Sequence, residues 1–357
     1  MNTILITGGA GFIGSNFIHY LFAQAGFDAK IVNIDKLTYA GNPLSLSGVV
    51  KKYPDRYYFE KVDIADYDAL ERVFQRHTPD MVIHFAAESH VDRSITGPKE
   101  FINTNINGTF NLLECARKLW KDRKDVLFHH VSTDEVYGSL GDEGFFYETT
   151  AYDPHSPYSA SKAASDHLVS AYFHTYGLPV TISNCSNNYG PYQFPEKLIP
   201  VMINNMLEMK PLPVYGKGLN VRDWLYVEDH CRAIWDIVRN GKRGETYNVG
   251  GENEIRNIDI VNTLCEIMAE EKGLERDYYK QLVTYVTDRP GHDWRYAINM
   301  DKIKNELDFK VSVNFKQGIR KTIKWYLANI EWMDAIKSGE YLNWIETNYT
   351  KRFIDEI

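Results

Sequence analysis

The chain begins with a short apolar run, Thr3–Thr7, that passes straight into Gly8-Gly9-Ala10-Gly11-Phe12-Ile13-Gly14 and then into a helical pattern from residue 15 to about residue 25. Few local patterns restrict a fold so strongly. Gly8, Gly11 and Gly14 stand at GxxGxxG spacing. Glycine there permits a tight strand-to-helix turn and lets the backbone approach a pyrophosphate seated on the free N–H groups of a helix start. Phe17, Ile18, Leu21 and Phe22 give the helix one buried stripe. A glycine turn can serve shape alone, but here the strand and the helix that the binding motif requires are both present.

The next apolar run, 31–34, ends in Asp35, about 20 residues beyond the loop, where a carboxylate accepts hydrogen bonds from an adenosine ribose. Its charge repels a 2′-phosphate, so the spacing favours NAD over NADP. Lys36 tempers that preference, and Asp35 capping a turn is the plainer alternative. Strand patterns recur at 56–62, 81–85 and 126–131, and helical patterns at 67–76, behind the N-cap candidate Asp66, and at 99–120. The stripe of the last helix is read through Phe101, Phe110, Leu112, Leu113 and Leu119. This alternation is the rhythm of a doubly wound parallel α/β sheet of the Rossmann type. Ligands of such sheets collect at the C-terminal ends of the strands. Asp63 and Ile64 are therefore candidates to lie against the adenine, Ala86 and Ala87 for close cofactor contact, and Thr104 for reach toward the cofactor. His90 reads as a binding or surface residue.

Composition sets outer limits. At 357 residues, 44% hydrophobic and 25% charged, the chain is long enough for a large core. A formal net charge of −8 gives no electrostatic reason to expect nucleic acid. No apolar run approaches membrane-spanning length, and MNTILITGG enters a strand without the pattern of a secretory signal. Cys115, Cys185, Cys231 and Cys265 are widely spaced, which reads as reduced core thiols, a cytoplasmic location and no metal site.

The strand at 126–131 delivers Ser132-Thr133-Asp134-Glu135-Val136-Tyr137-Gly138 to the ligand edge, and Tyr158 and Lys162 follow four residues apart on a helical run. That spacing puts Tyr158 and Lys162 on one face, where a cationic lysine is expected to lower the phenol's pKa and fit it to take an alcohol proton. Lys162 is also expected to hold the nicotinamide ribose. An oxidoreductase needs one such base. The adjacent Asp134-Glu135 supplies a further acid–base pair, which suits removal of a proton and a hydroxyl from neighbouring carbons after oxidation. Asp134 as the acid requires surroundings that hold its proton at neutral pH.

These motifs resemble the extended short-chain dehydrogenase/reductase family, and within it the dTDP-glucose 4,6-dehydratases. The resemblance rests on TGGAGFIG at 7–14, DKLTYAG at 35–41, FAAESHVDRS at 85–94, NTNINGT at 103–109, STDEVYG at 132–138, YSASK at 158–162 and SNNYGPYQFPEKLIP at 186–200. It implies that Thr133 and Tyr158 align and deprotonate the sugar 4-hydroxyl, that Glu135 takes the C5 proton, and that Asp134 protonates the departing C6 hydroxyl. Hydride returns to C6, giving dTDP-4-keto-6-deoxyglucose. Phe12, Ile13, Leu37, Thr38, Phe85, Ser89 and Asn188 join the cofactor set. Substrate contacts are expected from Ser89, Thr133, Asn187, Glu196, Lys197, Pro213, Val214, Tyr215, Arg222, Asn257, Arg289, His292 and Tyr296.

The implied layout is an NAD-binding half at 1–185 and a smaller α/β sugar-nucleotide half at 186–357, with some segments of the second half returning to the first. Glu196 and Lys197 are read as opening an amphipathic helix, and Met202, Met206 and Met209 as packing. A homodimer is expected through the helices at 101–119 and 158–172, and Trp332, Trp344 and Tyr349 are candidates to cover the body or a partner. A UDP-glucose 4,6-dehydratase or a UDP-hexose 4-epimerase shares most of these features, though an epimerase has no use for the acid–base pair. A non-enzymatic NAD-binding regulatory protein would not need Tyr158 and both carboxylates.

Overall fold

The structure, a computed structural model, describes residues 2–288 and 291–336. In chain order the strands are β1 (Thr3–Thr7), β2 (Lys30–Ile34), β3 (Tyr57–Glu60), β4 (Met81–His84), β5 (Leu127–Thr133), β6 (Val180–Cys185), β7 (Asn187–Tyr189), β8 (Leu212–Tyr215), β9 (Val221–Tyr226), β10 (Thr246–Val249), β11 (Glu254–Arg256) and β12 (Val283–Val286). Seven of them form one parallel sheet in the order β10-β6-β5-β4-β1-β2-β3. The order reverses between β1 and β4, which opens a crevice beyond their C-terminal ends. The doubly wound architecture expected from the alternating pattern is the one observed.

Both faces of the sheet are covered, so its strands alternate between two apolar layers. Leu5, Val32, Val82, Phe128 and Val180 pack in one layer with Leu70, Phe74, Leu112 and Val169. Ile4, Ile6, Ile31, Ile83 and Leu127 pack in the other with Phe17, Leu21, Val227 and Ile234. The sequence after β6 builds two small sheets, β11-β9-β7 and β12-β8, over a third layer containing Tyr189, Met202, Met206, Trp224, Leu264 and Ile319. β10 then returns to the large sheet and pairs with β6.

Local chemistry explains the main boundaries. Asp66 Oδ1 accepts from Ala69 N at 3.0 Å and starts the helix Tyr67–His77. Ser156 and Ser159 form a reciprocal capping box at the head of Pro157–Tyr176. The region read as one helix over 99–120 is instead Pro98–Phe101, a π-helical turn at Ile102–Asn107, and Gly108–Trp120. The wider turn rotates the register, so Phe110 leaves the expected stripe and is 44% exposed. The helix Leu198–Leu207 begins after Glu196 and Lys197, and most of its residues are buried, so it is not amphipathic. Met202 and Met206 pack as expected. Met209 lies beyond the helix at φ 54°, exposed to solvent. All four cysteines are buried free thiols.

Candidate active site

One cleft of about 420 Å³ lies over the C-terminal ends of the large sheet and reaches under the small sheets. Gly8, Gly11, Phe12, Ile13 and Gly14 form one wall. Gly8 has φ +71°, and a Cβ there would stand 2.7 Å from Ala86 Cα; one on Gly14 would stand 2.4 Å from Gly8 O. Side chains at either position would push the loop off the sheet. No side chain caps the helix Phe12–Ala23, so its first N–H groups remain available to an anion. Asp35 Oδ2 accepts from Ala10 N at 3.0 Å and Oδ1 from Leu37 N at 2.8 Å. Burial raises the Asp35 pKa, and those two N–H bonds oppose the shift. A glycine cradle, an uncapped helix start and an oriented carboxylate fit the pyrophosphate and ribose of NAD.

Thr38, Asp63, Ile64, Phe85, Ala86, Ala87, Ser89, Thr104 and Asn188 also line this cleft. Leu37 is not among its lining residues, and its N–H serves Asp35 instead. Lys36 lines the cleft but turns to protein partners. Its Nζ donates to Thr104 Oγ1 at 3.0 Å and lies 3.7 Å from Asp63 and 3.9 Å from Glu88 carboxylate oxygens.

At the end of β5, Thr133 accepts from Glu135 N at 3.3 Å and thereby starts the 3₁₀ turn Asp134–Tyr137. The Thr133 hydroxyl donates to Asp134 Oδ1 at 3.4 Å and lies near enough to the Tyr158 phenol to oppose the rise in its pKa. Asp134 is 1% exposed, and its Oδ2 has no hydrogen-bond partner among the described residues. Burial raises its pKa well above the carboxylate range, and the charges of Glu135 and Asp223 push the same way. The proton-holding environment expected for the acid is therefore present.

The expected lowering of the Tyr158 pKa is not found. Burial drives it well above its ordinary value, with the Glu135 charge adding to the rise. Lys162 does not offset this, because its Nζ runs into the sheet and donates to Val131 O at 2.8 Å. Tyr158 and Lys162 do share the cleft, together with Thr133, Asp134 and Glu135.

On the far side, Asn187, Glu196, Lys197, Pro213, Val214, Tyr215, Arg222, Asn257, His292 and Tyr296 complete the lining. Arg289 lies outside the described residues, as do Trp344 and Tyr349. The Arg222 guanidinium sits 4.2 Å from the centre of the Tyr296 ring and donates to the carbonyls of Val221, Asp293 and Trp294. Glu196 is buried, accepts from Tyr39 Oη at 3.2 Å and has its pKa pushed up to about 7 by burial. Buried oxygens of Asn187 and Asn257 have no hydrogen-bond partner among the described residues, which suits groups that receive a polar ligand.

Sequence reasoning passed over several lining residues. Glu88 follows β4 in the AAESH run and stands beside Lys36. Position at a strand's C-terminal end was the available signal. His90, read as a binding or surface residue, is 5% exposed and lines the cleft. Gln193, Phe194 and Trp224 reach it from elements whose placement no local pattern reveals.

Comparison with known proteins agrees with this geometry. The family model described as GDP-mannose 4,6 dehydratase matches residues 5–322. The dTDP-glucose 4,6-dehydratase of Shigella flexneri is 57% identical over 363 residues, covering 98% of this chain and 99% of its own. A crystal structure of dTDP-glucose 4,6-dehydratase from Bacillus anthracis in complex with NAD superimposes with a TM-score of 0.83 at 47% identity, covering 94% of this chain and 100% of that one. The Streptomyces venezuelae enzyme of the same name, with NAD and TYD bound, gives a TM-score of 0.84 at 43% identity with the same coverage. The chain belongs to the dTDP-glucose 4,6-dehydratases, within the NAD-dependent epimerase/dehydratase members of the short-chain dehydrogenase/reductase family.

Proposed function

We propose that this enzyme converts dTDP-glucose to dTDP-4-keto-6-deoxyglucose and water with NAD retained across the cycle. The observation that carries the reading is Asp134, a buried carboxyl beside Glu135 whose pKa burial raises and whose Oδ2 has no hydrogen-bond partner among the described residues. NAD, when bound, supplies the hydride acceptor for C4 and the hydride donor for C6. Gly8, Gly11, Gly14 and Asp35 would hold it by pyrophosphate and ribose, and Lys162 by the nicotinamide ribose.

Tyr158 must be ionised to act, and the cationic nicotinamide of bound NAD would have to favour its phenolate against burial. Its Oη then takes the proton of the sugar 4-hydroxyl, which Thr133 Oγ1 aligns by hydrogen bonding. The ketone so formed acidifies the C5 proton, and the Glu135 carboxylate accepts it. Asp134 gives its proton to the 6-hydroxyl, which leaves as water. The proton on Glu135 exchanges with solvent, and a solvent-derived proton then returns to C5 from Glu135. At the end Tyr158 holds the proton gained from O4 while Asp134 has lost one, and the Thr133 hydroxyl, which contacts Asp134, shares the cleft with Tyr158. Arg222 is the diphosphate contact of this reading, its planar guanidinium matching the anion.

Residues 1–185 serve as the NAD-binding half and most of 186–357 as the sugar-nucleotide half. We further propose a homodimer, supported by Ile95, Ile102 and Phe110, large apolar side chains exposed at 43%, 52% and 44%. No helix among the described residues is long and apolar enough to cross a membrane. The buried free thiols support a cytoplasmic setting. The test is incubation of the purified protein with dTDP-glucose and, separately, UDP-glucose, with no added reductant. The reading expects a product lighter than dTDP-glucose by one water, with solvent deuterium at C5. Turnover of UDP-glucose at the same efficiency would reject the dTDP preference, and a C4 epimer of unchanged mass would reject dehydration.

A further inference from the structure

Behind Lys162 lies a buried polar group that the mechanism above does not use. Lys162 Nζ stands 3.4 Å from His130 Nε2, and the same ring nitrogen stands 3.2 Å from Asp166 Oδ1. Asp166 Oδ2 accepts from Ser132 Oγ and from Tyr152 Oη, each at 2.9 Å. His130, Lys162 and Asp166 are 0%, 4% and 2% exposed. Such burial is unfavourable for every charge in the group unless the charges answer one another.

The hydrogen-bond pattern assigns the parts. Lys162 Nζ donates to His130 Nε2, so the ring proton belongs on Nδ1, while Asp166 Oδ1, which has no hydrogen-bond partner among the described residues, faces the same ring nitrogen as a charge. Burial drives the His130 pKa well down, which keeps the ring neutral. His130 is thus a neutral ring between an ammonium that it accepts from and a carboxylate that it does not bond. Lys162 also faces His84 from β4, Cys185 from β6 and Tyr158 on its own helix. His84 is buried with a strongly lowered pKa, and the Cys185 thiol is pushed up to about 12, so neither carries charge near neutrality. Asp166 is the anion in this surround. Spacing also matters: Tyr158, Lys162 and Asp166 follow at four-residue intervals along one helix and share a face.

We propose that Asp166, acting across the His130 ring, is a positioning residue that keeps Lys162 charged at the edge of the cleft that holds Tyr158. Burial lowers the Lys162 pKa, and the Asp166 charge is the largest effect opposing that. Ser132 and Tyr152 keep Asp166 able to provide it, since burial raises its own pKa to about 6 and their hydrogen bonds hold it down. Losing the carboxylate charge would release the Lys162 proton at a lower pH.

The proposal rests on the role of Lys162 in the proposed dehydration, but its test does not. In protein freed of NAD, Lys162 is labelled with acetic anhydride across a pH series, and the labelled peptide is quantified by mass spectrometry. Asp166→Asn retains shape and an acceptor oxygen while removing the charge. The half-labelling pH of Lys162 is expected to fall by about one unit or more. In the loaded enzyme the alkaline limb of kcat shifts the same way while KM for dTDP-glucose stays fixed. Tyr152→Phe, a milder change that weakens the hold on Asp166, is expected to shift the curve in the same direction by less. Labelling curves of either variant that superimpose on the wild type would overturn the proposal, as would a rise in KM alone. Because the labelling needs neither cofactor nor sugar nucleotide, failure of the dehydratase reading would leave its outcome intact.

Discussion

A carboxyl group can act as an acid at neutral pH only where the fold opposes its ionisation. Asp134 meets that condition through burial first and through Glu135 and Asp223 next. The same arrangement works against stability. A folded-state pKa raised above the unfolded value gives stability that is fully present below the unfolded pKa and declines as pH rises toward the folded one. Asp134→Asn is therefore expected to lower kcat by roughly 10²–10⁴-fold. In the same variant the melting temperature at neutral pH should rise; an unchanged kcat, or a fall in melting temperature, would contradict the assignment. Glu196 allows a cleaner titration, with a pKa raised from 4.5 to about 7. Its contribution should decline between those pH values and then level off. Melting of wild type and Glu196→Gln across that range, without substrate, should show a difference that changes through the window and is flat above it. Local spacing made Asp35, Tyr158 and Lys162 legible, because each lies a fixed distance along one strand or helix. The direction of Lys162 was not legible: it is set by Val131 and His130, about 30 residues away in sequence.

At the scale of elements, the helix Pro157–Tyr176, which carries Tyr158 and Lys162, depends on its first turn, where Ser156 accepts from Ser159 N at 3.0 Å and Ser159 Oγ accepts from Ser156 N at 3.0 Å. Ser156→Ala is expected to destabilise the protein by about 1 kcal/mol. Tyr158 sits one residue inside that helix, so kcat should fall with stability; a melting temperature within error of the wild type would discount the cap. The first five strands of the large sheet and the Asp66 cap were legible because each follows from a short pattern of side chains. The break at Ile102–Asn107 was not. A π-helical turn keeps helix-forming composition while shifting the register, so an apolar stripe counted at ordinary spacing assigned Phe110 to the core.

Across the whole molecule, the long-range return of β10 to the large sheet and the reach of Trp224 and Phe194 into the cleft arise from chain segments far apart in sequence. No local period encodes such pairings, which is why the extent of the cleft became visible only in three dimensions. Exposed Phe110 and Ile102 gain their proposed purpose at this scale as well. Phe110→Asp should convert a dimer to monomer in sedimentation equilibrium while the fold persists; a wild-type protein already monomeric at micromolar concentration would refute the proposed assembly. The sheet that places β5 beside the catalytic helix brings Thr133, Asp134, Glu135 and Tyr158 to one point, and their sequence of proton transfers is the centre of the account.

Its most direct test follows one atom. Purified protein is given dTDP-glucose carrying deuterium at C4, without added reductant, and the product is assigned carbon by carbon. The account predicts deuterium at C6 of a 4-keto-6-deoxy sugar. Deuterium kept at C4, or lost to water, would contradict it.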